Sequence, residues 1–188
     1  MRRVKCRILA EDSAGQRLLR DIARKLFDAR SIQTIPFPAG QGCGEQYVRE
    51  HYPGEVKKQR AKVGASSCLM VHIDADTGTV QNRIQQLDQE LRKNGLAVRS
   101  RPEEIAIIVP RRHTETWLIW CLGGAVDEQY DCKNDPERRF PPWMRQQLEQ
   151  ASADLGHRMY DLTRDNAPNP GDLLPSIEHA ILELCRLG

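Results

Sequence analysis

The segment Cys68-Leu-Met-Val-His-Ile-Asp-Ala-Asp76 ends an apolar run on two carboxylates separated by a single residue. Side chains alternate along a strand with a period of two, so an extended chain would project Asp74 and Asp76 to one face and Ala75 to the other. Two hard oxygen donors sharing a face at the carboxyl end of a strand suit Mg²⁺ or Mn²⁺. The chemistry this predicts is metal-dependent and acts on phosphates. The alternative is that the two aspartates merely end the strand and cap the next helix.

A second acidic site lies far away in sequence. Val4 to Ala10 is mostly apolar and runs into Glu11-Asp12, after which apolar residues recur at helical spacing from Arg17 to Phe27. This pattern predicts strand, acidic turn, helix. Ligands of open α/β sheets sit beyond the carboxyl ends of parallel strands, so Glu11 meets the Asp74/Asp76 pair if the two strands are neighbours. A third charged group, Arg111, Arg112, His113 and Glu115, follows Ile105-Ala-Ile-Ile-Val-Pro110. That continuous, branched run predicts a strand covered on both faces. Glu115 reads either as a further ligand or as a first-turn acid favoured by the helix dipole.

The remaining elements must position these groups. Ser31 to Phe37 predicts a second strand, near an edge or ending early, because Pro36 cannot donate to a ladder. The glycines at 40, 42 and 44 lack the Lys and Ser/Thr of a phosphate-binding P-loop and predict a flexible loop. Glu45 to Lys62 has helical character, which Pro53-Gly54 is expected to break into two pieces. Thr77-Gly-Thr79 leads into a helix whose Val80, Ile84, Leu87 and Leu91 face the sheet, ended by Asn94-Gly95. Trp117 and Trp120 are expected in the core, on a helix that starts near Thr114. After a polar connection over 127–142, helices from about Trp143 to His157 and from Leu173 to Leu187 should cover the sheet or form an interaction surface.

With 188 residues, of which 39% are hydrophobic, the chain supports one respectable core. The expectation is an α/β fold: a mostly parallel, Rossmann-like sheet flanked by helices over residues 1–124, with a helical extension, 125–188, packed on the same domain. No apolar run approaches the ~20 residues of a membrane span, and no signal-type segment follows the basic N-terminus, so a cytoplasmic protein without membrane contact is expected. The six cysteines include no Cys-x-x-Cys pair. They are expected to be reduced, with Cys6, Cys68 and Cys185 packed as small hydrophobes; a zinc set from Cys121, Cys132, His113 and His157 would have irregular spacing. A net charge of +2 does not mark a nucleic-acid binder. The local basic groups at 2–5, 57–62, Arg111-Arg112 and Arg138-Arg139 either neutralise phosphates or form solvated surface.

Taken together, Glu11 in Leu9-Ala-Glu11-Asp-Ser, the pair in His72-Ile-Asp-Ala-Asp-Thr77 and the segment Glu115-Thr-Trp-Leu118 resemble a Toprim domain. The resemblance spans roughly Met1 to Gly124 and points to small stand-alone Toprim proteins of bacterial defence and mobile-element loci, related to the overcoming-lysogenization-defect nucleases. The tail Pro175-Ser-Ile-Glu-His-Ala-Ile-Leu-Glu-Leu184 is also similar to that group. It implies a divalent-metal-dependent phosphodiester hydrolase, a nuclease of phage defence, in which Glu11 is general acid/base or ligand, Asp74 and Asp76 hold the ion, and Glu115 completes the shell. Asp12 departs from the pattern, which commonly has glycine there; it, Arg111, Arg112 and His113 are possible accessory residues. The implied partners are nucleic acid, DNA rather than RNA, and an ABC- or SMC-type ATPase; the C-terminal helix and the polar extension before it are the candidate docking surface, although most of the helix's apolar stripe is expected to be buried against the sheet. The four tyrosines stand in no context suggesting strand transfer, so hydrolysis is expected. Two other readings stay open: a catalytically silent Toprim-like subunit that binds nucleic acid or a partner, and a receiver-like regulatory module with Asp74 or Asp76 as phosphoacceptor, although Arg111-Arg112 stand where such a module has lysine.

Overall fold

The computed structural model describes residues 3–27, 31–37, 44–62, 66–124, 126–132, 142–164 and 173–187. The loop glycines 40 and 42, Arg2 and the Arg138-Arg139 patch lie outside the described residues. Four strands, β1 (Lys5–Ala10), β2 (Ile32–Thr34), β3 (Ser67–His72) and β4 (Ile105–Ile108), form one sheet in the order β2-β1-β3-β4. Every pairing is parallel. The helices are α1 (Ser13–Leu26), α2 (Glu45–Arg60), α3 (Val80–Lys93), α4 (Thr114–Cys121), α5 (Pro142–Arg164) and α6 (Pro175–Leu184), followed by a 3-10 turn, Cys185–Leu187. This is an α/β, Rossmann-like architecture with a helical C-terminus.

The strand order decides where the helices go. From β1 the chain steps outward to β2, then returns past β1 to β3 and continues to β4. Crossovers between parallel strands are right-handed, so the reversal of direction sends α1 to one face and α2 and α3 to the other. The two cores follow the strand alternation. Cys6, Ile8 and Met70 pack with Leu18 and Ile22 of α1, Trp117 of α4 and Ile177 of α6. Leu9, Leu69 and Val71 pack with Val48 and Tyr52 of α2 and Leu87 of α3. The reversal creates a crevice beyond the carboxyl ends of β1 and β3, the switch point where such sheets take ligands.

Local chemistry fixes several boundaries. The Asp12 carboxylate accepts the Gly15 N–H at 2.8 Å and caps α1, and the Thr79 hydroxyl accepts the Asn82 N–H at 3.0 Å at the start of α3. Gly95, at φ 69°, ends that helix after Asn94, as expected. β2 is an edge strand, also as expected. The free edge of β4 is closed by side chains: the buried Glu183 carboxylate accepts the Ile107 N–H at 2.8 Å and pairs with Arg99, which donates to the Ile105 carbonyl.

Two expectations of the fold need correction. α2 runs unbroken from Glu45 to Arg60 with Pro53 inside it. Val48, Tyr52, Pro53 and Val56 are all buried, and that packing offsets the interior proline's cost of about 3 kcal/mol. Cys185 is exposed rather than packed, since the 3-10 turn directs Leu187 inward instead. The apolar stripe of the C-terminal helix is buried, as expected for most of its side chains: Ile177, Ala180, Ile181 and Leu184 lie in the main core, and Leu182 is the large exposed apolar residue of that helix. Trp117 is fully buried and its indole N–H donates to Ser176 at 2.7 Å, whereas Trp120 is half-buried beneath the Arg158 guanidinium. Among the described residues no helix is long and apolar enough to cross a membrane.

Candidate functional site

Glu11 and Asp74 meet at the switch point. β1 and β3 align Ala10 with His72, and one step further the Glu11 N–H donates to the His72 carbonyl at 3.2 Å. The chain then stays extended over 73–75, with Ile73 and Ala75 donating to the carbonyls of Ile108 and Pro110. The Asp74 N–H therefore points the other way, past the end of β1, where no backbone carbonyl is left to take it. The Glu11 carboxylate accepts it at 2.9 Å. Burial, then the charge of Asp74, push the Glu11 carboxyl up to about 7; Asp76 and Asp12 add to this, and the Asp74 N–H opposes it. A carboxyl poised near neutrality can exchange a proton with substrate or water.

Asp74 is 4% exposed and lies on the same strand face as His72. Its Oδ1 accepts from the Thr114 hydroxyl at 3.3 Å, and that hydroxyl is 2.8 Å from Nε2 of the fully buried His72. Its Oδ2 lies 3.8 Å from Nδ1 of His113, whose Nε2 is 3.3 Å from Asp131. The carboxylate is thus braced by α4 and, through His113, by a residue of the C-terminal extension. The opposite side of the His72 ring rests on Gly15, where any Cβ would collide with the imidazole.

Asp76 does not share the Asp74 face. The extended chain ends before it, and Asp76 adopts a left-handed conformation, φ 51°. Its carboxylate, 44% exposed, takes a hydrogen bond from Nη2 of Arg83 on α3 at 3.0 Å. The same guanidinium donates to the Asp74 carbonyl at 2.8 Å and to Glu45 at 2.6 Å. A period-of-two argument holds only while the strand continues, and the reversal turns this side chain towards the α3 face.

The other expected residues occupy separate roles. Asp12 is spent on capping α1. Glu115 is half-buried in the first turn of α4. Arg112 donates to the Asp76 carbonyl at 3.5 Å, with Asp131 at 4.0 Å. Arg111 lines a neighbouring cleft of about 640 Å³ with Thr79, Gln81 and His179. Among the described residues no three His, Cys, Asp or Glu side chains form a ready metal-binding group. Even so, the donor chemistry fits a divalent cation. Glu11 and Asp74 bring two carboxylates to one crevice, where the charges of Asp74, Asp76 and Asp12 add to burial in raising the Glu11 pKa, and Arg83 engages Asp76 rather than Glu11.

His72, Thr114, Arg83, Asp131 and Gly15 escaped the sequence reading. His72 carried a signal, as a polar residue two positions before Asp74 within an apolar strand. Asp131 and Arg83 carried none, since their partners are set by tertiary packing. Compared with family models, curated proteins and solved structures, the chain has no match in any of the three.

Proposed function

We propose that the protein is a divalent-metal-dependent phosphodiester hydrolase, a nuclease acting at the crevice between β1 and β3. The observation carrying this reading is the Glu11 carboxylate seated on the Asp74 amide at the switch point, with its proton held to about neutral pH. Glu11 and Asp74 would hold Mg²⁺ or Mn²⁺, and Asp76 would be free to join them only on leaving Arg83. When bound, the ion supplies neutralisation of phosphoryl charge and a more acidic water. Glu11 takes the proton of the water that attacks phosphorus, the P–O bond to the departing sugar oxygen breaks, and that oxygen takes a proton from solvent or back from Glu11; His113 and Thr114 fix the Asp74 carboxylate, and Arg111 and Arg112 face the phosphate backbone. The resemblance to Toprim nucleases of phage defence supports the same reading, with DNA as substrate and an ABC- or SMC-type ATPase as partner. Such a partner would dock outside the buried stripe of α6.

One observation favours a second reading. The Arg83–Asp76 bridge neutralises one expected ligand internally, as in a silent Toprim-like subunit that binds nucleic acid without cutting it. A receiver-like role is not favoured, because Asp74 is buried and Asp76 is bridged. Incubation of the purified chain with labelled single- and double-stranded DNA and RNA, with Mg²⁺, Mn²⁺ or EDTA, separates these readings. Divalent-dependent cleavage supports the hydrolase. Binding without cleavage under every condition supports the silent subunit.

A further inference from the structure

The edge of the sheet opposite β4 carries a groove of about 730 Å³ along β2 and α2. Its upper end, level with the carboxyl end of β1, is aromatic. Tyr47 and His51, one turn apart on α2, stack with ring centroids 4.1 Å apart and an interplanar angle of 33°, and Phe37 meets Tyr47 edge-on at 6.2 Å. Two of these rings meet backbone carbonyls. The Tyr47 hydroxyl donates to the Pro36 carbonyl at 2.9 Å, and His51 Nδ1 lies 2.9 Å from the Tyr47 carbonyl.

The other end of the groove is basic. Arg7 and Lys58 line it and share the buried carboxylate of Glu55. Lys5 lies on the same strand face as Arg7. Lys62 follows α2 closely enough that, after burial, the charges of Arg7 and Lys5 are what lower its ammonium pKa. Arg7 and Lys58 thus pair with Glu55, and the charges of Lys5 and Lys62 lie close beside them. Tyr47 and Lys58 are about three helical turns, or about 16 Å, apart along α2.

We propose that this groove binds a single-stranded polynucleotide, with bases stacked on Tyr47, His51 and Phe37 and phosphates drawn to Lys58, Arg7, Lys5 and Lys62. Aromatic rings beside a row of cations are what sequence-tolerant strand binding requires, because every base has a face to stack and every linkage a charge to neutralise. A duplex keeps its bases paired and offers no free faces, so single strands are preferred. The inference rests on the hydrolase reading only for its direction: the aromatic end lies at the carboxyl end of the sheet, so the strand leads towards Glu11 and Asp74.

Fluorescence anisotropy with labelled oligo(dT) of about 12 nucleotides, in EDTA so that no cutting occurs, tests the groove directly. The full chain is expected to bind with an affinity that falls as salt rises, and to bind a duplex of equal length more weakly. Tyr47→Ala with His51→Ala weakens binding about tenfold, Tyr47→Phe preserves it, and Lys58→Glu flattens the salt dependence. His51→Ala alone, at an exposed position, gives a smaller loss and keeps the test readable if the double variant melts early. Oligo(rU) in place of oligo(dT) reports whether the sugar matters. Unchanged affinity in the aromatic and lysine variants, equal binding of the duplex, or no binding at all overturns the proposal. Glu11→Gln distinguishes the two claims, since it should lose cleavage and bind as the parent does. Binding that needs the groove without cleavage by the parent chain sinks the hydrolase reading alone. Cleavage of single strands at undiminished kcat/KM by the groove variants sinks the groove alone.

Discussion

The Arg83 guanidinium donates to the Asp76 carboxylate at 3.0 Å while its Nε donates to the carbonyl of Asp74 at 2.8 Å. One buried cation therefore holds the turn after β3 and occupies a carboxylate expected to serve a metal ion. Arg83→Met leaves the Asp74 carbonyl without this donor and should cost about 2 kcal/mol in EDTA. It also frees Asp76, so added Mn²⁺ should raise the melting temperature of the variant more than that of the parent. Equal responses in a Mn²⁺ titration would separate Asp76 from the site.

Glu11 makes stability depend on pH in a defined direction. Its carboxyl titrates at about 7 in the folded protein against 4.5 ordinarily. The folded state thus keeps a proton that the unfolded chain has released. The resulting stabilisation is fully present below about pH 4.5 and is lost as pH rises through about 7. Glu11→Gln retains an acceptor for the Asp74 N–H and never ionises, so it should melt above the parent at pH 8 in EDTA and level with it at pH 4.5. A parent chain that is the more stable at pH 8 would mean the site favours the ionised carboxylate.

Asp12 acts as a helix cap. Asparagine caps as well as aspartate, so Asp12→Asn should keep both stability and divalent response, whereas Asp12→Ala should lose about 1 kcal/mol. Loss of the Mn²⁺ response in Asp12→Asn, with the melting temperature unchanged, would return Asp12 to the ligand set.

Gly15 permits α1 to lie against His72. Gly15→Ala should destabilise the protein by about 1–3 kcal/mol through overpacking. In a His72→Ala background the same change should cost far less, a coupling that thermal melts of the four chains would reveal. Additive effects would show that helix and ring are not in conflict.

Much of this arrangement was legible because it depended on short-range pattern. The apolar run ending at Ala10 and the one running to Asp76 mark strands, the second ending at His72 in the fold; the stripe from Val80 to Leu91 marks a helix, and the acids beyond two strand ends point to one crevice. What was not legible depended on partners distant in sequence or on single dihedral angles. Asp76 left the expected face through one left-handed residue. Pro53 stayed helical because its neighbours are buried. Asp131 reaches His113 from an extension whose fold carried no local signal of that contact.

The most direct measurement is divalent-dependent cleavage of a labelled oligonucleotide by the parent chain, Glu11→Gln and Asp74→Asn, each checked by thermal melting. Cleavage by the parent with Mg²⁺ or Mn²⁺ and none in EDTA is expected, with loss of activity in both folded variants. Full cleavage by folded Glu11→Gln and Asp74→Asn would contradict that expectation and place the chemistry outside the crevice between β1 and β3.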